Sequence, residues 1–314
     1  MDRSSARGNC VRALPNESSY GRNAILPDPR IPIIDSLMDS CAPAAITEPV
    51  PAAPAAARFT AETVLALRHW TSSLISLRTS RAPSFRFTPG HYGRLGLDGA
   101  DNAVIWRPFS FVSAAHDQHL EFFATLVPGG KFSGLLAKTR EGDSIRVEKN
   151  SYGFLSIDHF APGKDLWLLA SGTGLGPFLS ILRDPATWRA YDSAVLVHSV
   201  RHASELAYRD EIATIPYEEL LAASRVRLRY VPVVTREPWP GALTARIPQL
   251  IQNGDLEQAA GVELDPRRSR IMVCGNPEMS REVRRQLTAR GFLINRRGAP
   301  GQLAFENYWT GTPS

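Results

Sequence analysis

"LLASGTGLGPFLS", residues 168–180, passes from an apolar run through a glycine-rich turn into a proline-led helical pattern. The apolar run reads as a buried strand. In Gly172-Thr173-Gly174-Leu175-Gly176-Pro177 the glycines permit a sharp turn and close approach of a ligand. Pro177 suits the first helical position, where no N–H is needed. The free N–H groups of a helix start face an anion, and the helix dipole favours the same sign of charge. Strand, glycine turn and helix together predict a nucleotide phosphate held by Gly172, Thr173 and Gly174.

The residues downstream say which nucleotide. The next strand, "AVLVHSV", ends in Arg201, where a fold selective for NAD usually places an acid to hold the ribose hydroxyls. Two more arginines follow the third strand, Arg236 in "VTREP" and Arg246 in "LTARIP". Guanidinium forks bind phosphate in bidentate fashion. All three fall at the carboxyl ends of predicted parallel strands, where ligands bind in such sheets. The turn is expected to hold a pyrophosphate and the arginines the 2′-phosphate of NADPH. Any one of these arginines taken alone reads as solvated surface.

Around this unit the chain alternates strand and helix. Strand "LWLLAS" precedes helix "PFLSILRD", "AVLVHSV" precedes "ASELAYRDEIATI", "RVRLRYVPVV" precedes "ALTARIPQLIQ", and "RIMVCG" precedes "PEMSREVRRQLTARG". That rhythm predicts a parallel sheet with crossover helices over 163–314. Residues 58–162 have a different pattern. Short alternating strands, "TVLALRHWTSSLISLRTS", "YGRLGLD", "FSFVSAA", "LEFFATLV" and "DSIRVEK", are separated by Gly, Pro and Asp turns, with one helical interruption, "FSGLLAKT". Such spacing predicts a small antiparallel barrel. Residues 1–57 form a third region. From Ala42 to Ala57, 12 of 16 residues are alanine or proline. That composition predicts a mostly disordered leader.

The 314 residues suffice for two ordinary domains, and 43% hydrophobic with 21% charged residues is a globular composition. Net charge is +5, without a long run of one sign, which disfavours nucleic acid and favours an anionic ligand or partner. Three cysteines, Cys10, Cys41 and Cys274, cannot build a disulfide framework or a four-thiolate iron–sulfur site. No apolar run reaches the roughly 18 residues of a membrane helix. A cytoplasmic monomer with no metal, no nucleic acid and no membrane association is the expectation.

From about Phe59 to Trp309 the chain resembles the bacterial-type ferredoxin/flavodoxin–NADP reductases, and the motifs that carry the resemblance occur in order. Arg107-Pro108-Phe109-Ser110 is similar to the family's Arg-x-Tyr-Ser, with phenylalanine in place of tyrosine. "FATLVPGGKFSGLL" is similar to the strand and helix start that line FAD. Gly172 to Pro177 resembles Gly-Thr-Gly-x-Ala-Pro, and Arg201, Arg236 and Arg246 match positions that bind the 2′-phosphate. Cys274-Gly275-Asn276-Pro277 is similar to the Cys-Gly-x-Pro beside the nicotinamide. Outside that context a lone buried cysteine at a strand end is ordinary small core.

The resemblance implies a Greek-key barrel binding FAD, followed by a Rossmann-like NADP-binding domain. It places Arg107, Pro108, Phe109, Ser110, Phe123, Ala124, Thr125, Leu126, Gly130, Lys131, Phe132, Ser133 and Thr173 on FAD. The tail aromatics Tyr308 and Trp309 pack over it. Gly172, Thr173, Gly174, Arg201, Arg236, Arg246, Cys274 and Gly275 fall on NADP. Ser110, Cys274 and Glu306 are the implied catalytic residues. Having no iron–sulfur cysteines of its own, the chain requires a separate acidic carrier, ferredoxin or flavodoxin. Residues 58–314 carry 31 Lys and Arg against 25 Asp and Glu, the sign that speeds such an encounter. Two alternatives share the fold: an NADH-preferring reductase component of an oxygenase system, and a non-catalytic nucleotide-binding redox sensor.

Overall fold

Alternating apolar residues in the first half of the chain build one antiparallel sheet. In the computed structural model the described residues are 58–100, 103–215 and 227–306. Tyr308, Trp309 and the leader expected over 1–57 lie outside them. The strands are β1 (Phe59–His69), β2 (Leu74–Ser80), β3 (Tyr92–Asp98), β4 (Val104–Ser110), β5 (His119–Thr125) and β6 (Ser144–Glu148). Their order is β4-β3-β6-β1-β2-β5, so β6 returns to lie between β3 and β1 in Greek-key fashion. The two edge strands approach each other through a Phe111–Phe122 bridge and the Val112 N–H donated to the Glu121 carbonyl (2.8 Å), which curls the sheet towards a barrel. Its interior holds Val64, Ile75, Leu77, Leu95, Phe111, Phe122 and Val147, all buried.

The sequence predicts a strand over "FSFVSAA". The structure places that strand earlier, at Val104–Ser110, and the chain leaves the sheet after the Phe111 bridge. Pro108 is tolerated because β4 lies at the end of the sheet order, where a missing N–H costs no ladder bond on the open side. The helical interruption is α1 (Lys131–Leu136).

The parallel sheet contains β7 (Asp165–Ser171), β8 (Ser193–Val200), β9 (Arg227–Val234), β10 (Ser269–Cys274) and β11 (Leu303–Glu306), in the order β11-β10-β7-β8-β9. Both faces are covered, so its strands are almost continuously apolar. Leu166, Leu168, Ala170, Leu196 and Met272 face one layer with α2 (Gly176–Leu182), α3 (Pro185–Ala190) and α4 (Arg209–Thr214). Trp167, Leu169, Val195, Val197 and Ile271 face the other, with α5 (Ile247–Asn253), α6 (Asp255–Ala260) and α7 (Pro277–Ala289). The first of these layers also takes in Leu74, Val112 and Phe123, so the two sheets share a seam of core. Among the described residues no helix is long and apolar enough to cross a membrane.

Three elements depart from the sequence pattern. Leu303–Glu306, for which no strand is predicted, forms a fifth strand, β11, paired in parallel with β10. The helix predicted over 242–252 begins only at Ile247, because Leu243 exchanges backbone hydrogen bonds with Pro232 and Val234 and so runs beside β9. The helix predicted over "ASELAYRDEIATI" is broken. A single 3-10 turn covers Ala203–Glu205, Tyr208 sits at φ 60° and ψ 13°, and α4 starts after it. Among the described residues Tyr208 is the one non-glycine with positive φ. That conformation costs an L-residue roughly 1–2 kcal/mol.

Candidate active site

The chain runs outward from β7 to β8 and β9, then crosses back to β10 on the other side of β7. Ligands of open α/β sheets bind at the carboxyl ends of the strands flanking such a reversal. Here these are Ser171, leading into the glycine turn, and Cys274. Gly172 to Leu175 form one 3-10 turn that continues directly into α2, with Pro177 in its first turn.

The glycines of these loops have separate causes. Gly172 has φ +53°, and a Cβ there would meet nothing within 4 Å, so among the glycines of these two loops it is the one that combines left-handed backbone with open space. A Cβ at Gly174 would lie 2.3 Å from the Cys274 carbonyl oxygen. One at Gly275 (φ +127°) would lie 2.3 Å from Ser171 Oγ, the atom that accepts the Asn276 N–H at 2.7 Å. Sequence reasoning assigned the glycines to a ligand's approach; at 174 and 275 the structure assigns their small size to loop-on-loop contact. The turn after β7 and the turn after β10 therefore hold one shape together.

Beneath the turn lies His198 of β8, fully buried. Burial pulls its imidazole down to about 4, so it is neutral at physiological pH. Its Nε2 stands 3.2 Å from the Gly172 carbonyl, which can only accept, so the tautomer with the proton on Nε2 is assigned from that partner. Sequence reasoning missed this residue, although a histidine inside the apolar run "AVLVHSV" was a signal.

The three residues expected to be catalytic come from three strand ends. Ser110, the last residue of β4, is 8% exposed, and a Cβ built on Gly176 would lie 3.6 Å from its Cβ. Cys274 ends β10, buried, and pairs in register with Glu306 of β11. The Glu306 carboxylate reaches the backbone of Gly153: Oε1 would be 3.5 Å from a Cβ there. Ser110 thus joins the glycine helix start, the glycine turn rests on Cys274, and Cys274 lies beside Glu306. Two aromatic neighbours were not anticipated. Tyr92 is the register partner of Ser110 across β3 and β4, and its ring lies 5.8 Å from that of Tyr152. Burial first, and then the Glu306 charge, push the Tyr92 phenol up.

On the barrel side, Arg107 and Pro108 are exposed on β4, Phe109 is half-buried, and Thr125 and Lys131 are exposed nearby in the chain. Arg107 Nη1 donates to the Trp106 carbonyl at 2.8 Å. The Phe109 ring lies 5.3 Å from buried Phe132. Gly130 precedes the first turn of α1, and Ser133 Oγ accepts the Val127 N–H at 3.0 Å. Phe123 and Ala124 are both buried, and strand alternation sends them to opposite sides: Phe123 into the seam and Ala124 into the barrel interior, where half-buried Leu126 also packs.

The three arginines occupy adjoining loops. The Arg236 N–H donates to the Arg201 carbonyl at 2.9 Å, and Leu243, paired to β9, brings the chain round to Arg246 at the start of α5. All three are exposed, and none has a side-chain hydrogen bond or ion pair among the described residues. The carboxylates next to them are occupied by backbone. Glu205 Oε2 accepts the N–H groups of Arg201 (2.9 Å) and His202 (3.1 Å), and Glu237 Oε1 accepts that of Ala203 (2.7 Å). A cavity of about 630 Å³, lined in part by His202, Glu237, Trp239 and Trp70, opens beside these loops. Among the described residues no cluster of ligating side chains suits a metal ion.

The oxidoreductase NAD-binding domain family matches residues 168–285. Ferredoxin–NADP reductase A of Sorangium cellulosum is 40% identical over 256 residues, spanning 81% of this chain and 91% of that one. The flavodoxin/ferredoxin–NADP reductase of Escherichia coli is 37% identical over 247 residues, spanning 78% and 97%. A solved ferredoxin NADP+ reductase from Neisseria gonorrhoeae, with bound FAD and NADP, superposes with a TM-score of 0.75 at 40% identity, over 81% of this chain and 100% of that one. With a parallel sheet that switches at a glycine turn, a curled antiparallel sheet joined to it, and identities of this size over nearly the whole of its relatives, the chain belongs to the ferredoxin/flavodoxin–NADP reductase family.

Proposed function

We propose that this protein is a FAD-dependent ferredoxin/flavodoxin–NADP(+) reductase, moving electrons between NADPH and a separate acidic ferredoxin or flavodoxin. In this reading residues 58–162 bind FAD and residues 163–314 bind NADP. The protein acts as a monomer in the cytoplasm and binds no nucleic acid. The observation that carries it is the set of three exposed guanidiniums, on loops tied together by backbone hydrogen bonds, with the nearby carboxylates engaged elsewhere. A 2′-phosphate is doubly charged near neutral pH, and NADH lacks it. Free arginine forks without a competing carboxylate favour the phosphorylated nucleotide.

The chain fits its two cofactors at several points. Gly172 leaves open space above a backbone whose N–H groups begin a helix, which suits a pyrophosphate. Exposed Arg107 on β4, and half-buried Phe109 beside Phe132, offer a charge for a phosphate and a flat apolar surface for a ring system. Bound FAD supplies the conversion between two-electron nicotinamide chemistry and one-electron carrier chemistry. The protein's part is positioning. The Gly174–Cys274 contact makes the nucleotide turn and the cysteine loop move as one, and buried Cys274 gives a small apolar wall. Ser110 places a hydroxyl, and Glu306 a carboxylate, where a proton can be held. The Tyr92 phenol, pushed up by burial and by Glu306, keeps its own proton at neutral pH.

The reading is tested by NADPH-driven reduction of purified ferredoxin and flavodoxin, with NADH as the comparison. In Arg236→Ala combined with Arg246→Ala, kcat/KM for NADPH is expected to fall roughly 100-fold or more, the loss of two charge-assisted contacts, while the NADH value stays level. An unchanged nicotinamide preference overturns the assignment.

A further inference from the structure

The two sheets meet along a seam crossed by a buried polar chain. Trp70 Nε1, at the end of the β1–β2 hairpin, donates to Ser76 Oγ at 2.7 Å. The Ser76 hydroxyl meets the Tyr208 hydroxyl, and Tyr208 donates to Glu121 Oε1 at 2.9 Å. Each link has one donor and one acceptor, so the chain runs in one direction. Glu121, buried on β5, also meets Arg183 Nη1 (3.4 Å) and Arg78 Nη2 (3.5 Å). Arg183 caps the end of α2 and donates to the Val112 carbonyl at 2.8 Å, and Ser180 of α2 donates to the Ser113 carbonyl at 2.8 Å.

α2 is the helix that continues the glycine turn, and residues 110–113 continue the strand that ends in Ser110. They are tied from one side by α2 itself, and from the other by Glu121 of β5, whose carbonyl accepts the Val112 N–H at 2.8 Å, whose N–H donates to Ser113 Oγ at 3.2 Å, and whose carboxylate is held by Tyr208. The Tyr208 ring stands edge-on to Phe123, centroids 5.2 Å apart at 89°, and 4.7 Å from the Trp70 ring. Tyr208 is 2% exposed and is held in the left-handed region. Such a conformation persists where surrounding contacts over-determine it, and it is a pointer to function when found. An apolar seam would have been cheaper than a buried carboxylate with two hydroxyls. What a directional network adds is a single allowed register between the packed parts.

We propose that Tyr208 is a positioning residue for electron transfer, clamping β5 and its Phe123 to the nucleotide-binding sheet so that the expected flavin wall and the glycine turn keep one separation. This rests on the reductase reading, because that reading puts the two cofactors on opposite sides of the seam. The Tyr208 phenol stays neutral as the clamp requires, burial and the Glu121 charge raising it well above its ordinary range.

The test is Tyr208→Phe, which keeps the ring and removes the hydroxyl, with Ser76→Ala as a second variant that removes only the barrel-side partner. Each is prepared as the FAD-loaded full chain. Stopped-flow reduction by NADPH is expected to slow about tenfold with the Kd for NADPH unchanged, and the long-wavelength charge-transfer absorbance with NADP to weaken. Reduction by dithionite should match that of the unsubstituted protein. Amide exchange at Val112, Ser113 and α2 should quicken with or without flavin. A lowered Tm with an unchanged hydride-transfer rate, charge-transfer band and exchange pattern in either variant overturns the proposal. If the unsubstituted protein neither retains FAD nor oxidises NADPH, the reductase reading fails instead, and the exchange experiment still reports on the clamp.

Discussion

The two halves of the proposed nucleotide site are shaped by different forces. At the sheet's centre, the turns after β7 and β10 are locked backbone against backbone, with positions 174 and 275 admitting no side chain. At its outer edge, the loops after β8 and β9 are also paired through backbone, yet they present three long exposed side chains that have no side-chain partner among the described residues. The centre is specified by excluded volume and the edge by uncompensated charge. Excluded volume sets where a ligand's phosphates lie to within fractions of an ångström, since a packed contact does not deform cheaply. Charge acts over several ångströms through flexible side chains, so it selects among ligands without having to place them. The centre should therefore respond to substitution as an all-or-none change and the edge as a graded one.

The largest break is expected from Gly174→Ala. Its Cβ would overlap the Cys274 carbonyl at 2.3 Å, so the two turns must separate, costing about 3 kcal/mol by the measure of overpacked cores. The check is a thermal melt alongside NADPH oxidation, both of which should fall sharply.

Next comes pH. His198 is held down to about 4 in the folded chain and has an ordinary value near 6.5 when unfolded. Between these values the unfolded state binds a proton that the folded state refuses, so stability falls as pH falls from 6.5 towards 4. The loss approaches about 3 kcal/mol at the lower end. His198→Asn should flatten that part of a Tm-against-pH curve. A slope that persists in the variant assigns the effect to other groups.

At the edge, Arg201→Glu should weaken NADPH by about tenfold, through lost attraction and added repulsion, with NADH barely altered. Steady-state KM values for both nucleotides measure it, and the Tm should not move.

The smallest effect sharpens the contrast inside the centre. Gly172→Ala meets open space and pays only for positive φ, about 1 kcal/mol, so it should fold and melt a few degrees lower. Equal damage from Gly172→Ala and Gly174→Ala would mean that backbone freedom and close approach are not separate causes at these two positions.

Local chemistry was readable because it is local. A strand, a glycine turn and a proline-led helix are contiguous, and so are an arginine and the strand end it follows. Other features depended on residues far apart in sequence. "ASELAYRDEIATI" has a good helical pattern, and nothing in it reveals that the Tyr208 hydroxyl is claimed by Ser76 and Glu121 from another sheet. Consecutive Phe123 and Ala124 both matched a flavin-lining motif, yet alternation along β5 buries them on opposite faces. Tyr92 carried no sequence signal at all; it matters because β3 pairs it with Ser110.

Hydrophobic periodicity and turn chemistry, both governed by neighbours a few residues away, were enough to separate the antiparallel from the parallel half and to single out the glycine turn and the three arginines proposed to hold NADPH. The alignment of Glu306 beside Cys274, the support of Gly172 by His198 and the clamp at Tyr208 arise from contacts spanning tens of residues or more. Such contacts come into being only when packed sheets bring distant strands into register, which is why no reading along the chain could supply them.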